Sequence, residues 1–302
     1  MRYAFFPGCI AKNVYPSIER STRMVLAEVG VELLEYPYSC CPAPSVIASY
    51  DMGSWLTLGA RNLSLSESDG LDLLIICNGC YGTLHRVYET LKGDGDKKKI
   101  VNEHLRKIGM EYEGDVKPIH FIDALDELRG KIIEKKKIDL DLKVAIHYGC
   151  HFLKPSEHSR HNSENPKVVD EIVELLGCKS IKFKDKLSCC GAGGGLWSGG
   201  EDIALLILKD KLINVENAGA DCIINICPFC HMHLDQGQSK LSGFSIPILH
   251  LNQLIGLSFG IPEKRLGLHT HLISTMKVTE DVNKKIRELE MGDREPRRRR
   301  RR

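Results

Sequence analysis

The stretch LDLLIICNGC, residues 71–80, joins a short apolar run to a Cys-x-x-Cys motif made by Cys77 and Cys80. A second copy, DCIINICPFC, occupies residues 221–230 and ends in Cys227 and Cys230. Short apolar runs of this length are typical of strands that are buried on both faces. The sequence therefore predicts a buried strand that runs into a Cys-x-x-Cys motif, and it does so twice.

The sequence on either side of these motifs also repeats. AFFPGC (residues 4–9) matches AIHYGC (145–150), and VKPIHFIDAL (116–125) matches SIPILHLNQL (245–254). In each copy a lone cysteine is followed after 30 or 38 residues by an adjacent pair, and the pair is followed after 35 or 36 residues by Cys-x-x-Cys. Self-similarity of this kind predicts two homologous halves. The first set of cysteines is Cys9, Cys40, Cys41, Cys77 and Cys80, and the second set is Cys150, Cys189, Cys190, Cys227 and Cys230.

Strand and helix patterns alternate within each half. The strands predicted from apolar runs are RYAFF, VELLEY and LDLLIIC in the first half, and KVAIHY, SIKF and DCIINIC in the second. A helix is predicted over residues 17–30, and another over 165–177 with Asn165 as N-cap, Pro166 at its first position and Gly177 at its end. This alternation predicts an α/β fold of two pseudo-symmetric, Rossmann-like halves with parallel sheets. Since ligand crevices of such sheets lie at the carboxyl ends of the strands, the cysteines of each half are expected to meet there.

The predicted domains follow from the repeat. Residues 1–130 form the first domain, 131–142 a lysine-rich linker and 143–290 the second domain. A charged, partly helical insertion over 92–115 makes the first half longer. Residues 291–302 end in six arginines, which repel one another, and we expect a disordered tail there.

Composition narrows the class of protein. Removing the six charges of Arg297–Arg302 from the formal net charge of +2 leaves −4, so the body of the chain is not predicted to bind nucleic acid. No apolar stretch is long enough to suggest a membrane span, and the opening residues MRYAFFPGCI do not resemble a secretory signal. We therefore expect a cytoplasmic protein. Its 12 cysteines then favour metal or redox chemistry, because structural disulfides are rare in that compartment.

Five thiols in each half restrict what each set can hold. Cys-x-x-Cys by itself serves zinc sites, redox pairs and iron–sulfur clusters alike. A structural zinc ion takes four ligands, so five thiols leave one over. Adjacent cysteines point in different directions and more readily bind two metals of one cluster. The sequence thus indicates either a cluster that differs from an ordinary cubane, or a cubane beside one free thiol.

The order lone Cys, Cys-Cys and Cys-x-x-Cys, present twice and with CCGAGGG at residues 189–195, resembles the CCG cysteine-rich domain family. The two-copy form is similar to the B subunits of heterodisulfide reductases of methanogenic archaea. This resemblance implies one noncubane 4Fe-4S cluster in each five-cysteine set. It also implies reduction of the coenzyme M–coenzyme B heterodisulfide to two thiols. The electrons would come through a ferredoxin-like C subunit and a flavin-containing A subunit, fed by hydrogenase or formate dehydrogenase.

Other residues near the second set are candidates for the site. His151 is a candidate proton donor or substrate-positioning residue, because histidine titrates near neutral pH. The alternative for it, and for the cluster-donor candidates His231 and His233, is an ordinary packed or solvated role. Candidates for binding an anionic substrate are Lys154, Lys184, Lys186 and the backbone of Gly193 and Gly194. Cys178 and Cys222 lie outside both sets and are predicted to be buried as small apolar residues.

Two other functions stay open from the sequence. CCG domains also occur as electron-transfer subunits of other oxidoreductases, of succinate, glycolate, lactate or sulfur-oxidising type. A zinc-stabilised scaffold without redox activity would use the same thiols. Metal and sulfide analysis separates these classes.

Overall fold

The computed structural model describes residues 1–43, 47–154, 156 and 160–299, and it gives the backbone alone for 289–299. Its strands form two four-stranded sheets, and all pairings are parallel. The sheet of the first half has the order β2-β1-β3-β4, and that of the second half β6-β5-β7-β8. The strands are β1 (Arg2–Phe6), β2 (Glu32–Leu34), β3 (Leu73–Ile75), β4 (Pro118–His120), β5 (Lys143–His147), β6 (Lys179–Ser180), β7 (Cys222–Asn225) and β8 (Ile248–His250).

Helices connect the strands in both halves. Those of the first half are α1 (Gly8–Asn13), α2 (Pro16–Glu28), α3 (Ile47–Tyr50), α4 (Met52–Glu67), α5 (Asn78–Gly93), α6 (Gly95–Arg106), α7 (Phe121–Glu127) and α8 (Arg129–Lys135). Those of the second half are α9 (Cys150–Leu153), α10 (Val168–Leu175), α11 (Leu196–Gly199), α12 (Glu201–Asn217), α13 (Pro228–Met232), α14 (Leu251–Ser258), α15 (Glu263–Leu266) and α16 (Met276–Arg299). A π-helical turn, His233–Gly237, continues α13, and a 3-10 turn, Leu268–Thr270, follows α15.

The strand order reverses between the two central strands of each sheet. β1 pairs with β2 on one side and β3 on the other, and β5 pairs with β6 and β7 in the same way. Connections that leave such neighbouring strands in opposite directions open a crevice at their carboxyl ends. The lone cysteines follow β1 and β5, and the Cys-x-x-Cys motifs follow β3 and β7. The predicted α/β fold of two Rossmann-like halves is confirmed.

Several elements differ in detail from the prediction. The helix predicted from Asn165 begins at Val168, with Lys167 as N-cap and no side-chain capping bond. The reason is tertiary: Tyr148 Oη accepts hydrogen bonds from the first-turn N–H groups of Val169 (3.0 Å) and Asp170 (3.4 Å), so the asparagine cap is not needed. Gly177, with φ +79°, follows the helix as predicted.

The segment predicted as a linker is packed against the protein body. α8 begins before it and runs into it, and Ile132, Ile138 and Leu140 are buried in the core. These apolar side chains are interspersed among lysines, which dominate the sequence pattern. The insertion predicted over residues 92–115 contains α6, so it is partly helical as predicted. The backbone of α16 continues to Arg299, whereas residues 300–302 lie outside the described residues, so disorder of the arginine tail stays a prediction.

The two halves share one apolar core. α2 of the first half lies against α14 of the second, and Leu26 and Leu254 belong to the same buried cluster. Asn252 Nδ2 donates to Thr22 Oγ1 (2.8 Å) across this contact. Tyr15 Oη donates to the buried carboxylate of Asp235 (2.8 Å) in the same interface. These contacts hold the two halves in one arrangement relative to each other.

Candidate metal centre

One cavity of ≈ 200 Å³ contains the candidate site. The loops that follow β1, β3, β5 and β7 meet around it, together with the loops that carry the adjacent cysteine pairs. All ten cysteines of the two sets line its wall: Cys9, Cys40, Cys41, Cys77, Cys80, Cys150, Cys189, Cys190, Cys227 and Cys230. The sequence predicted that the five cysteines of each half meet, and the structure brings all ten to the wall of one cavity.

The first set is positioned by α1, α5 and the loop before α3. Cys77 is the N-cap residue of α5, which places Cys80 in the first turn of that helix. Gly8 has φ +73°, and a Cβ there would come within 3.0 Å of Cys80 Sγ, so glycine lets the backbone beside Cys9 approach the motif. Asn62 holds the pair: its Nδ2 donates to Cys40 O (3.0 Å).

The second set repeats this arrangement. Cys227 is the N-cap of α13, and Cys150 begins α9. Gly149, with φ +74°, packs so closely that a Cβ would lie 2.5 Å from Asn78 Nδ2 and 3.4 Å from Cys230 Sγ. The backbone N–H of Gly191 donates to Cys189 Sγ (3.3 Å). Peptide N–H groups directed at sulfur are suited to a negatively charged thiolate centre.

Close sulfur–sulfur contacts occur within the second set and between the two sets. All 12 cysteines of the chain, which all lie in its described part, are free thiols. Cys190 Sγ lies 3.4 Å from Cys230 Sγ, and Cys77 Sγ lies 3.8 Å from Cys227 Sγ, which joins the two sets. Each thiol also influences the pKa of its neighbours, in the order Cys9, Cys40, Cys41, Cys80, Cys77, Cys227, Cys230, Cys190, Cys189 and Cys150.

Hydrogen bonds between the thiols lower the pKa of some of them and raise the pKa of others. Hydrogen bonds from Cys40 and Cys80 lower the pKa of Cys41 to about 5, against the effect of burial. The bond to Cys189, together with burial, raises the pKa of Cys190 to about 12. Contact with Cys40 and burial raise the pKa of Cys9. Thiols bind metals as thiolates, so a metal centre bound by either set would displace the protons that the sulfurs of that set share.

Unsatisfied buried atoms show that the second set is suited to a bound group. Both ring nitrogens of His147, which is 1% exposed, lack a hydrogen-bond partner among the described residues. A ring nitrogen of this residue and the sulfurs of Cys190 and Cys230 lie within 4.8 Å of one another. Burial, with a further contribution from Lys211, lowers the pKa of His147 to about 3. A neutral imidazole without a partner costs free energy unless a ligand accepts its proton or takes its lone pair. The residues present fit a thiolate-bound metal cluster.

The other predicted site residues fall into two groups. His151, Gly193 and Gly194 line the cavity, and His151 packs against Gly82 of the first half. Lys154 and Lys184 are exposed and lie outside the cavity wall. Lys186 lies outside it as well and forms an ion pair with Asp170. Its ammonium group also lies over the Tyr148 ring, at 5.4 Å.

Three further predicted residues, one histidine and two cysteines, are buried. His231 is fully buried at the interface of the halves, where its ring contacts Tyr15 and His271. Cys178 and Cys222 are buried as predicted.

Two residues near the second set were missed from the sequence. His147 stands in AIHYGC where Phe6 stands in AFFPGC, so alignment of the halves contained a signal for it. Lys211 is 2% exposed in the middle of α12, and burial lowers its pKa, opposed by the charges of Cys190, Cys230 and Cys189. Its spacing from Leu208 and Val215 places it on the buried face of α12, but exposed apolar residues on the other faces of that helix weaken this signal.

Ten free thiols around one cavity of a parallel α/β protein are typical of the class of cysteine-ligated metalloproteins. The family model described as CCG, cysteine-rich domain, matches residues 3–85 and 144–235. This chain belongs to the CCG cysteine-rich domain family, with two copies of the domain.

Relatives of known description match nearly the whole chain. It is 44% identical over 285 residues to the B subunit of the ferredoxin/F(420)H(2)-dependent CoB-CoM heterodisulfide reductase of Methanosarcina acetivorans, over 91% of this chain and 95% of the relative. It is 33% identical over 287 residues to the 8-methylmenaquinol:fumarate reductase membrane anchor subunit of Wolinella succinogenes, over 91% of this chain and 98% of the relative. The relatives are thus subunits of oxidoreductases. In the described part of this chain, no helix combines the length and apolar character that crossing a bilayer requires.

A solved structure shares the fold. A hypothetical protein from Helicobacter pylori superposes with a TM-score of 0.73 at 19% identity, over 91% of this chain and 52% of that one. At this identity the likeness supports the two-domain α/β fold alone.

Proposed function

We propose that this chain is the B subunit of a heterodisulfide reductase, which reduces the coenzyme M–coenzyme B heterodisulfide to two thiols. Each five-cysteine set would hold one noncubane 4Fe-4S cluster. The observation that carries the proposal is the single cavity lined by all ten cysteines, with Cys77 Sγ 3.8 Å from Cys227 Sγ. A disulfide has two sulfurs, and a cavity between two equivalent sets presents one set to each.

The chemistry requires electrons and protons at one place. Iron–sulfur clusters supply electrons singly, and reduction of a disulfide consumes two. The chain supplies the thiolates, the N–H groups of the glycine run, and His151 on the cavity wall. In this proposal His151 positions the substrate or donates a proton to a departing thiolate. Ile10 and Phe229 line the same cavity and limit the access of water to the reacting sulfurs.

The electrons would come from partner subunits. The sequence contains no flavin or nicotinamide motif and no ferredoxin-type cysteine run. We propose a ferredoxin-like C subunit as the direct donor and a flavin-containing A subunit behind it, with hydrogenase or formate dehydrogenase as the source. Cys9, Cys40 and Cys189 are exposed in the isolated chain, which supports entry of electrons from a docked partner.

A second candidate is an electron-transfer role in a different oxidoreductase. The relationship to a component of a fumarate reductase favours it. In that function the cavity passes electrons and binds no disulfide. A zinc-stabilised scaffold is the third alternative from the sequence, and the fifth thiol of each set argues against it.

Metal analysis and EPR spectroscopy of the anaerobically purified complex test the proposal. We expect about four irons and a matching amount of acid-labile sulfide for each set. We also expect an EPR signal that changes when coenzyme M is added. Cys80→Ser and Cys230→Ser should each remove the iron of one set, whereas Cys178→Ala, a buried cysteine outside both sets, should retain it. Zinc without sulfide would contradict the proposal, and clusters that do not respond to coenzyme M would favour the second candidate.

A further inference from the structure

The two cysteine sets have different neighbours. The repeat gives each residue near the second set an equivalent near the first, so their surroundings can be compared position by position. Three buried positions differ in the same direction. In the second half they carry two imidazoles without a hydrogen-bond partner among the described residues and one lysine. In the first half they carry a phenyl ring, and an amide and a hydroxyl that already donate to backbone oxygens.

The first position lies three residues before the lone cysteine. In the second half it is His147, whose two ring nitrogens have no hydrogen-bond partner and which lies within 4.8 Å of the Cys190 and Cys230 sulfurs. In the first half it is Phe6, which is also buried and whose ring packs on that of Tyr38, with 4.9 Å between centroids. The second set therefore faces an imidazole where the first faces a hydrocarbon ring.

The second position lies 21 residues after the second cysteine of each pair. In the second half it is Lys211, which is 2% exposed, with Nζ donating to Asp185 O (3.2 Å) and lying 5.7 Å from the Phe183 ring centroid. In the first half it is Asn62, which is 0% exposed and donates to Cys40 O (3.0 Å). Asn62 bonds to the backbone of its cysteine pair, and Lys211 bonds to the backbone four residues before its pair. The charges of Cys190, Cys230 and Cys189 also act on the lysine, so the second set has an amino group in its field where the first set has an amide.

The third position lies three residues after the Cys-x-x-Cys motif. In the described part of the chain His233 has no hydrogen-bond partner for either ring nitrogen, and a Cβ on Gly191, next to Cys190, would lie 3.2 Å from its Cε1 atom. Its equivalent is Thr83, whose hydroxyl donates to Pro42 O (3.2 Å). The threonine is already satisfied by the backbone, whereas the histidine keeps its donor for a neighbour at the second set.

These differences change the free energy of adding an electron to the metal centre that each set would hold. Reduction makes an iron–sulfur centre more negative, so cationic groups and donors beside its sulfurs raise its reduction potential. Solvent exposure also matters, but the two sets differ little in it. Cys40 and Cys189 are exposed, and the lone Cys9 is exposed where Cys150 is half-buried. The two imidazoles and the lysine at the three positions above thus distinguish the surroundings of the second set from those of the first.

We infer that His147, Lys211 and His233 give the centre held by the second set a higher reduction potential than that held by the first. The inference rests on the proposed function, because it requires a redox centre in each set. One electron leaves the first centre as one enters the second, and no bond forms or breaks in that transfer. The first set is then where electrons from a one-electron donor enter, and the second is where they collect.

A potentiometric titration with EPR detection tests the inference. The purified complex is titrated anaerobically with dithionite and mediators, and the two signals are assigned by their loss in Cys80→Ser and Cys230→Ser. We expect the second-set signal to appear at the higher potential. Lys211→Asn and His147→Phe, which introduce the residues of the first half, should lower the midpoint of the second signal and leave the first unchanged. Phe6→His should raise the midpoint of the first.

Control variants separate electrostatics from folding. Lys209→Asn makes the same change at an exposed position of the same helix and should shift neither signal. Lys211→Arg keeps a cationic side chain and should retain the wild-type midpoint. Equal midpoints in the wild type, or equal shifts of both signals in Lys211→Asn, would overturn the inference and leave the proposed function intact. Zinc in place of redox-active iron would overturn both.

Discussion

His250 stands at the end of β8 as the N-cap of α14, with its ring fully buried. Its Nδ1 accepts a hydrogen bond from Asn252 N (3.4 Å), and its ring stacks on Phe121 of the other half, with 5.3 Å between centroids. Burial lowers the pKa of His250 to about 3. His120 occupies the equivalent place in the first half, and burial lowers its pKa to about 4. Both caps are therefore neutral in the folded protein.

Neutral buried histidines predict loss of stability in acid. The unfolded chain takes up a proton at His250 below about pH 6.5, whereas the folded chain does not do so until about pH 3, so stability falls as pH falls through this window. Each such residue removes about 1.4 kcal/mol of unfolding free energy per pH unit well below 6.5. His250→Asn keeps a capping side chain and should show a shallower loss between pH 7 and 5, measured by urea unfolding at each pH. The exposed His104→Asn should keep the wild-type slope, and an unchanged slope in His250→Asn would contradict the explanation.

Gly149 provides a second prediction at the scale of one residue. Gly149→Ala places a methyl group against Asn78 and Cys230, so we expect loss of metal from the second set, measured as iron per chain. Gly219 has a similar φ of +70° with open space around it, and Gly219→Ala should cost about 1–2 kcal/mol of backbone strain without loss of iron. Equal iron in the two variants would show that the close approach at Gly149 is not required.

Helices α4 and α5 cross closely enough to depend on a glycine. A Cβ on Gly59 of α4 would lie 2.6 Å from Val87 Cγ2 on α5, and a β-branched side chain cannot easily turn away. Gly59→Ala should therefore lower the free energy of unfolding by about 1–3 kcal/mol. Gly130→Ala in α8 meets no atom within 4 Å and should be neutral or stabilising by up to about 1 kcal/mol. Chemical denaturation of both variants checks the pair, and similar values for both would contradict the close crossing.

The shared core makes a prediction for the whole molecule. Because α2 and α14 pack in one apolar cluster, the halves should unfold together and not as separate domains. Each half contains one tryptophan, Trp55 in the first and Trp197 in the second. Trp197→Phe and Trp55→Phe leave a single reporter in one half. We expect the same denaturant midpoint from fluorescence as from far-UV circular dichroism in each variant, whereas two separated midpoints would show independent halves.

Much of this architecture was predictable from short segments. Apolar runs before Cys77 and Cys227 correctly placed β3 and β7, because a strand buried on both faces leaves a local signal. The repeat predicted the two parallel sheets. The predicted start of α10 was wrong, because the first turn of that helix is capped by a distant residue. Tyr148 lies 21 residues before Val169 and reaches its N–H group through Oη, a contact that no window of local sequence around Asn165 contains.

The sequence by itself predicted the strands and the two halves, and it placed the lone cysteines and the Cys-x-x-Cys motifs at strand ends, because apolar runs and repeated motifs can be read from the chain alone. Only the tertiary structure decided that the two sets share one cavity, with Cys77 Sγ and Cys227 Sγ 3.8 Å apart although 150 residues separate them. It also decided that His147 and Lys211 lie buried beside the second set. The physical reason is that the packing of α2 on α14 fixes how the two halves face each other. The surroundings of each buried side chain are set by segments that are distant in the sequence, so no local pattern contains them.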